Sequence, residues 1–312
     1  MKSVPLTLPH RAAHSESLQP RAQDPALLRT GGPLPAARPA EAPSAVRYWH
    51  LLSLDAPTVA LVWSLAFAWT AHVVLPLWLL VLQALVVWAV YVGDRLLDAR
   101  SGLRGHQGEG LRERHFFHWR HRQLLTPMAV AASCAAAWIA LHWMPLAAKE
   151  RDSLLGAASL AYFTRVHSSE ARSRLSRFAS KESLVGILFT AGCVLPAWSR
   201  GADRMLLLPG LSFALLAWLN CRAIEEWEAG EPRTGIPAIA AGAAAAAAIA
   251  ALLLLHAGPR AAALLAAGAS SALLLALLDR SRQRITPVLL RAAADLALLT
   301  PIALLAVAAA RR

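Results

Sequence analysis

In VVWAVYVGDRLLDAR, residues 86–100, a long apolar run ends in Asp94 and Asp98, with Arg95 and Arg100 beside them. Side chains four apart project from one face of a helix, so the two carboxylates can share a cation. Mg2+ takes hard oxygen ligands and is commonly bridged to substrate phosphates, so a magnesium-bound diphosphate is the chemistry this pair suggests. An interfacial Asp–Arg network is the plain alternative. Helix dipoles favour carboxylates at N-termini, whereas these fall at a C-terminus, which tilts the reading toward function.

A second acidic group follows in LNCRAIEEWEAGEPR, residues 219–233. Asn220 lies inside the end of an apolar segment, and Glu225, Glu226 and Glu228 come after it. Tyr162, Arg165, Arg172, Arg174, Arg177 and Lys181 supply a basic stretch between the two. Guanidinium and ammonium groups there can bind diphosphate oxygens or simply fix topology, and Lys181 is the better ligand. His115, His118 and His121 recur every third residue. Three imidazoles on one ridge can hold a transition metal, but the interleaved aromatics and arginines read better as a segment resting on lipid headgroups. Arg291 and Asp295 sit four apart inside the last apolar segment and can pair. Ionisable groups at that depth face a bundle interior, which makes Asp295 a cavity candidate.

The elements that must position these groups are helical and apolar. Of 312 residues, 57% are hydrophobic and 16% charged, with mean hydropathy +0.45, a profile of a polytopic membrane protein. From Ala56 to Gly93 there is no Lys, Arg, Asp or Glu. As one helix that run would reach roughly 57 Å, about twice a ~30 Å hydrocarbon core, so it must fold back near His72–Pro76. The expected spans are 56–73, 76–94, 124–145, 152–167, 183–199, 204–222, 235–256, 259–279 and 286–309, nine in an all-α bundle. The fourth is short and the last is interrupted by Pro301. No other span shows the Gly/Pro-broken half-helices of transporter sites, which disfavours a small-solute transporter.

Residues 1–46 carry eight prolines and few large apolar groups, the composition of a disordered tail; no apolar stretch makes it a signal peptide. Residues 47–312 form the helical domain. RYWHLLSLD, residues 47–55, suits a short interfacial helix, with Asp55 capping the first span. With the N-terminus inside, 23 Lys/Arg fall on the inner side and seven outside, the positive-inside bias of a multi-pass inner-membrane protein with cytoplasmic motif loops. The same bias accounts for the net charge of +12 and excludes nucleic acid as the partner. Cys134, Cys193 and Cys221 show neither paired spacing nor CxxC, hence no disulfide framework and no zinc site.

This order of spans, with acidic motifs after the second and sixth and a basic loop after the fourth, resembles the UbiA-type intramembrane prenyltransferases over residues 47–310. The family's first motif, N-D-x-x-D-x-x-x-D, aligns with VYVGDRLLD: Asp94 and Asp98 match, while Val90 and Tyr91 replace the asparagine and first aspartate. Its second motif, N-D-x-x-D-x-E-x-D, aligns with NCRAIEEWE: Asn220 and Glu226 match and Glu228 is conservative, but Cys221 and Ile224 stand where aspartates belong. The resemblance implies transfer of a prenyl group from a polyprenyl diphosphate to an aromatic or lipid acceptor. It implies Mg2+ held by Asp94, Asp98, Glu226 and Glu228, with Asn220 in the catalytic set. It also implies diphosphate contacts from Arg95, Tyr162, Arg165 and Lys181, and partners limited to the prenyl diphosphate, its hydrophobic acceptor and membrane lipids. The alternative is a non-catalytic lipid-binding or assembly protein that keeps the fold.

Overall fold

The computed structural model describes residues 45–104, 113–167, 181–201, 203–230 and 235–311. These belong to one compact unit; residues 1–44 of the expected tail, Arg172, Arg174 and Arg177 lie outside the described residues, while Ala45 and Val46 open the first helix. Every element described is helical. They are α1 (Ala45–Leu51), α2 (Asp55–Thr70), α3 (Leu77–Arg104), α4 (Glu113–Arg120), α5 (Arg122–Trp143) and α6 (Leu146–His167). After the next connection come α7 (Lys181–Gly201), α8 (Leu207–Ala229), α9 (Ile236–Leu254), α10 (Pro259–Ser281), α11 (Pro287–Ala297) and α12 (Pro301–Ala310).

Among the described residues, six helices are long and apolar enough to cross a membrane, or up to eight if α1 with α2 and α11 with α12 each count as one bent span. The hairpin expected near His72 is there: α2 ends at Thr70, His72 takes a positive φ of 57° and α3 begins at Leu77. The short fourth span falls on α6, whose first turns carry Lys149, Glu150, Arg151 and Asp152, and α6 is not among the six. Two sharp bends fall where the sequence offers a separate interfacial helix before Asp55 and Pro301 within the last span. The chain bends by 92° between α1 and α2 and by 45° between α11 and α12. Pro301 accounts for the second, since it has no N–H to continue the ladder.

α2 packs against α3, α7, α10, α11 and α12, which makes it the centre of the bundle. Its Trp63 stacks on Phe213 of α8 at 4.0 Å between centroids. The indole Nε1–H donates to the Leu298 carbonyl at 2.8 Å, satisfying a backbone group freed where α11 breaks. α9 and α10 pair closely through alanines, small side chains that let helix backbones approach. α8 stops at Gly230, whose φ of 73° suits a left-handed cap. The second acidic segment therefore ends in a fixed turn.

Candidate functional site

The densest polar grouping surrounds the bend between α1 and α2. Sequence reading gave Asp55 a capping role. The cap position is Leu54 without a side-chain bond, and Asp55 is the first helical residue, fully buried. Its Oδ2 accepts from His50 Nδ1–H at 2.6 Å and from Arg95 Nη2–H at 3.2 Å, and its Oδ1 from the Ala56 N–H at 3.0 Å. Arg95 also donates through Nη1 to the His50 carbonyl at 2.9 Å and stacks over Tyr91 at 4.4 Å. The residue expected to face a diphosphate thus points inward and ties α3 to the α1–α2 bend.

Asp295 of α11 enters the same grouping. Its Oδ1 accepts from Asn220 Nδ2–H of α8 at 3.1 Å, and its Oδ2 lies 3.8 Å from His50 Nδ1. Asp295 Oδ2 and Asn220 Oδ1 are buried acceptors with no hydrogen-bond partner. Arg291 does not take the role expected of it as partner to Asp295: its Nη1–H donates to Glu228 Oε1 at 2.8 Å, while its Nε–H is buried and unpartnered. Glu228 also accepts from Arg114 of α4, at 2.5 and 3.1 Å. One chain of polar contacts thus joins α1, α2, α3, α4, α8 and α11.

α4 is held by the same region. The His118 Nδ1–H donates to the Arg114 carbonyl at 2.7 Å, so Nε2 is the acceptor for the Ser53 hydroxyl at 3.0 Å. Ser53 is buried in the bend with φ of 60°, a conformation that costs a non-glycine residue energy and is kept here by its surroundings. Burial, with Arg114 nearby, lowers the His115 pKa to about 3, and burial lowers that of His118 to about 4. Both imidazoles face the protein and not headgroups, contrary to expectation, whereas Phe116, Arg120 and His121 of that segment are exposed.

Asp94 and Asp98 are half-buried on α3 and each is engaged by other groups. Glu226 accepts from Arg222 Nε–H at 2.8 Å, within α8. Among the described residues, three His, Cys, Asp or Glu ligand atoms within 4.8 Å of one another occur at His50, Asp55 and Asp295. Asp94, Asp98, Glu226 and Glu228 form no such group, so they offer Mg2+ no ready-made chelate. Tyr162 and Arg165 lie on α6 and Lys181 begins α7; their side chains are outside the described residues. Sequence reading missed His50 and Asp55. Their signal was a histidine and an aspartate flanking the start of the 38-residue uncharged run, for which a helix cap was the cheaper explanation.

Beside this network is a cavity of about 240 Å³. Its lining includes the charged Arg282, Arg291 and Glu228 and the apolar Ile224, Trp227 and Leu290. Trp227 is set by its Nε1–H donating to Asp279 Oδ1 of α10 at 2.7 Å. No protein-family model matches the chain, and neither the curated proteins nor the solved structures contain a match.

Proposed function

We propose that this chain is a UbiA-like membrane prenyltransferase, moving a prenyl group from a polyprenyl diphosphate to a hydrophobic acceptor. The observation that carries the reading is a cavity lined both by Arg282 and Arg291 and by Ile224, Trp227 and Leu290. An anionic head on an isoprenoid tail matches a lining of that mixed chemistry. Arg291 also holds a buried Nε–H with no partner, which a diphosphate oxygen would satisfy. When the allylic C–O bond ionises, the electron pair leaves with pyrophosphate, and the guanidinium groups neutralise that charge. The acceptor then bonds to the allylic carbon and gives up a proton.

In this reading the protein is a nine-span protein of the inner membrane with its N-terminus cytoplasmic. The Arg114–Glu228 ion pair supports the count. α4 and the end of α8 can meet on one side only if α5 to α8 make an even number of crossings, which requires α6 to cross too. No step is assigned to Mg2+, since no three of the four motif carboxylates bring ligand atoms within 4.8 Å of one another. A second reading, a non-catalytic lipid-binding protein, is favoured by Glu226 and Glu228 already being bound by arginines.

Purified protein with labelled farnesyl or geranylgeranyl diphosphate, a membrane-lipid extract and either Mg2+ or EDTA separates the two. Pyrophosphate release that is lost in Asp94→Ala, Asp98→Ala and Arg282→Gln supports the transferase. Saturable binding without release supports the lipid-binding reading. No binding by the wild type sinks both.

A further inference from the structure

We propose that His50, Asp55 and Asp295 bind one first-row transition-metal ion, with Asn220 Oδ1 as a fourth donor. The site takes Asn220 from the second acidic motif but uses none of the motif carboxylates, and it does not depend on the prenyltransferase reading. Three ligand atoms, one per residue, lie within 4.8 Å of one another. All three side chains are buried, Asp295 being the most open at 8%.

A vacancy in the hydrogen bonding points to a cation. Asp295 Oδ2, 3.8 Å from His50 Nδ1, is a buried acceptor without a donor, and its carboxylate is held at the other oxygen by Asn220 Nδ2–H, so it cannot turn away cheaply. Asn220 Oδ1, on the side chain bound to Asp295, is a second buried acceptor without a donor. Buried polar atoms are almost always satisfied, and a positive centre beside His50 Nδ1 would satisfy Asp295 Oδ2. Arg95, bound to Asp55 and to the His50 carbonyl, fixes the remaining ligands from outside, as supporting residues of metal sites do.

Charge and donor type select the ion. Asp55 and Asp295 bring two negative charges and Arg95 one positive, while Arg291 is paired with Glu228. A divalent ion would leave the site at about +1, which a bound hydroxide or an anionic ligand cancels. Imidazole beside carboxylates suits zinc, manganese or iron; magnesium and calcium prefer oxygen alone. Binding requires His50 Nδ1 to give up its proton and Asp55 to exchange that hydrogen bond for the metal.

The test uses detergent-purified full-length protein stripped with chelator and titrated with ZnCl2 and, separately, MnCl2. The expected result is one ion per chain, lost in Asp295→Asn and His50→Gln variants that still elute as single species. Asn220→Ala should weaken binding about tenfold. Mn2+-loaded wild type should show electron-spin-echo coupling to one imidazole nitrogen, a readout that needs no variant to fold. Wild-type protein that takes up no ion, Asp295→Asn binding as wild type, or absence of the nitrogen coupling would each overturn the proposal. In the first case, a proton held on Asp295 supplies the missing donor.

Discussion

Glu228 accepts hydrogen bonds from both Arg114 and Arg291, so neutralising it leaves two partly buried cations facing each other. Removing one member of a buried ion pair costs about 3–5 kcal/mol. Glu228 retains 26% exposure, so the expected loss for Glu228→Gln is nearer 1–3 kcal/mol after solvent screening. Thermal denaturation in detergent should report it, and Arg114→Met added to Glu228→Gln should recover part of it. A Glu228→Gln variant as stable as wild type would mean that the ion triad holds nothing together. Glu228, Asn220, Arg95 and Asp295 were all legible as notable residues, because a charge or amide inside or at the end of an apolar segment is conspicuous. Their partners were not. Asp55 meets Arg95 forty positions away and Asn220 meets Asp295 seventy-five away, and no spacing rule connects such positions. Arg291 and Asp295 show the converse failure: a permitted four-residue spacing suggested a pair, but tertiary packing offered Arg291 a carboxylate on another helix.

Helix contacts follow the same division between local pattern and distant neighbour. The run without charge fixed α2 and α3 and the turn between them, but the close approach of α7 to α8 depends on one glycine. A Cβ on Gly186 would meet the Trp218 backbone nitrogen at 3.1 Å and the Ala214 oxygen at 3.3 Å. Gly186→Ala gains up to about 1 kcal/mol of helix propensity, against an overpacking cost of about 1–3 kcal/mol. Backbone cannot yield as a side-chain tip can, so the variant should lose stability. Gly242→Ala on α9, where nothing lies within 4 Å, should gain it, and thermal denaturation of the two side by side checks the sign. The docking of α4 predicts a pH effect. Unfolded histidine titrates near 6.5, whereas His118 and His115 in the fold do so at about 4 and about 3. Between those values the unfolded chain binds more protons, so stability is full above about pH 6.5 and falls as pH drops toward 4. His118→Gln should flatten that slope; an unchanged slope in the double variant with His115→Gln would place the titration elsewhere.

At the scale of the whole molecule, the polar contacts constrain how often the chain crosses. Asp55 and Arg95 meet after α2 and α3, Arg114 and Glu228 after α5 to α8, and Glu228 and Arg291 after α9 and α10. In the proposed topology each interval contains an even number of crossings, and α11 with α12 adds a last one. Composition alone leaves α6 outside the apolar spans, because its charged first turns spoil the apolar window; in the proposed topology the ion pair between α4 and α8 needs α6 to cross. The consequence is measurable by cysteine labelling in a background where Cys134, Cys193 and Cys221 are replaced by alanine. A cysteine at exposed His121 and one at exposed Gln283 should react from the same side, and one at exposed His256, beyond α9, from the other. If α6 failed to cross, positions 121 and 283 would label from opposite sides. The Arg114–Glu228 contact could not then form, and the polar network would come apart between α4 and α8.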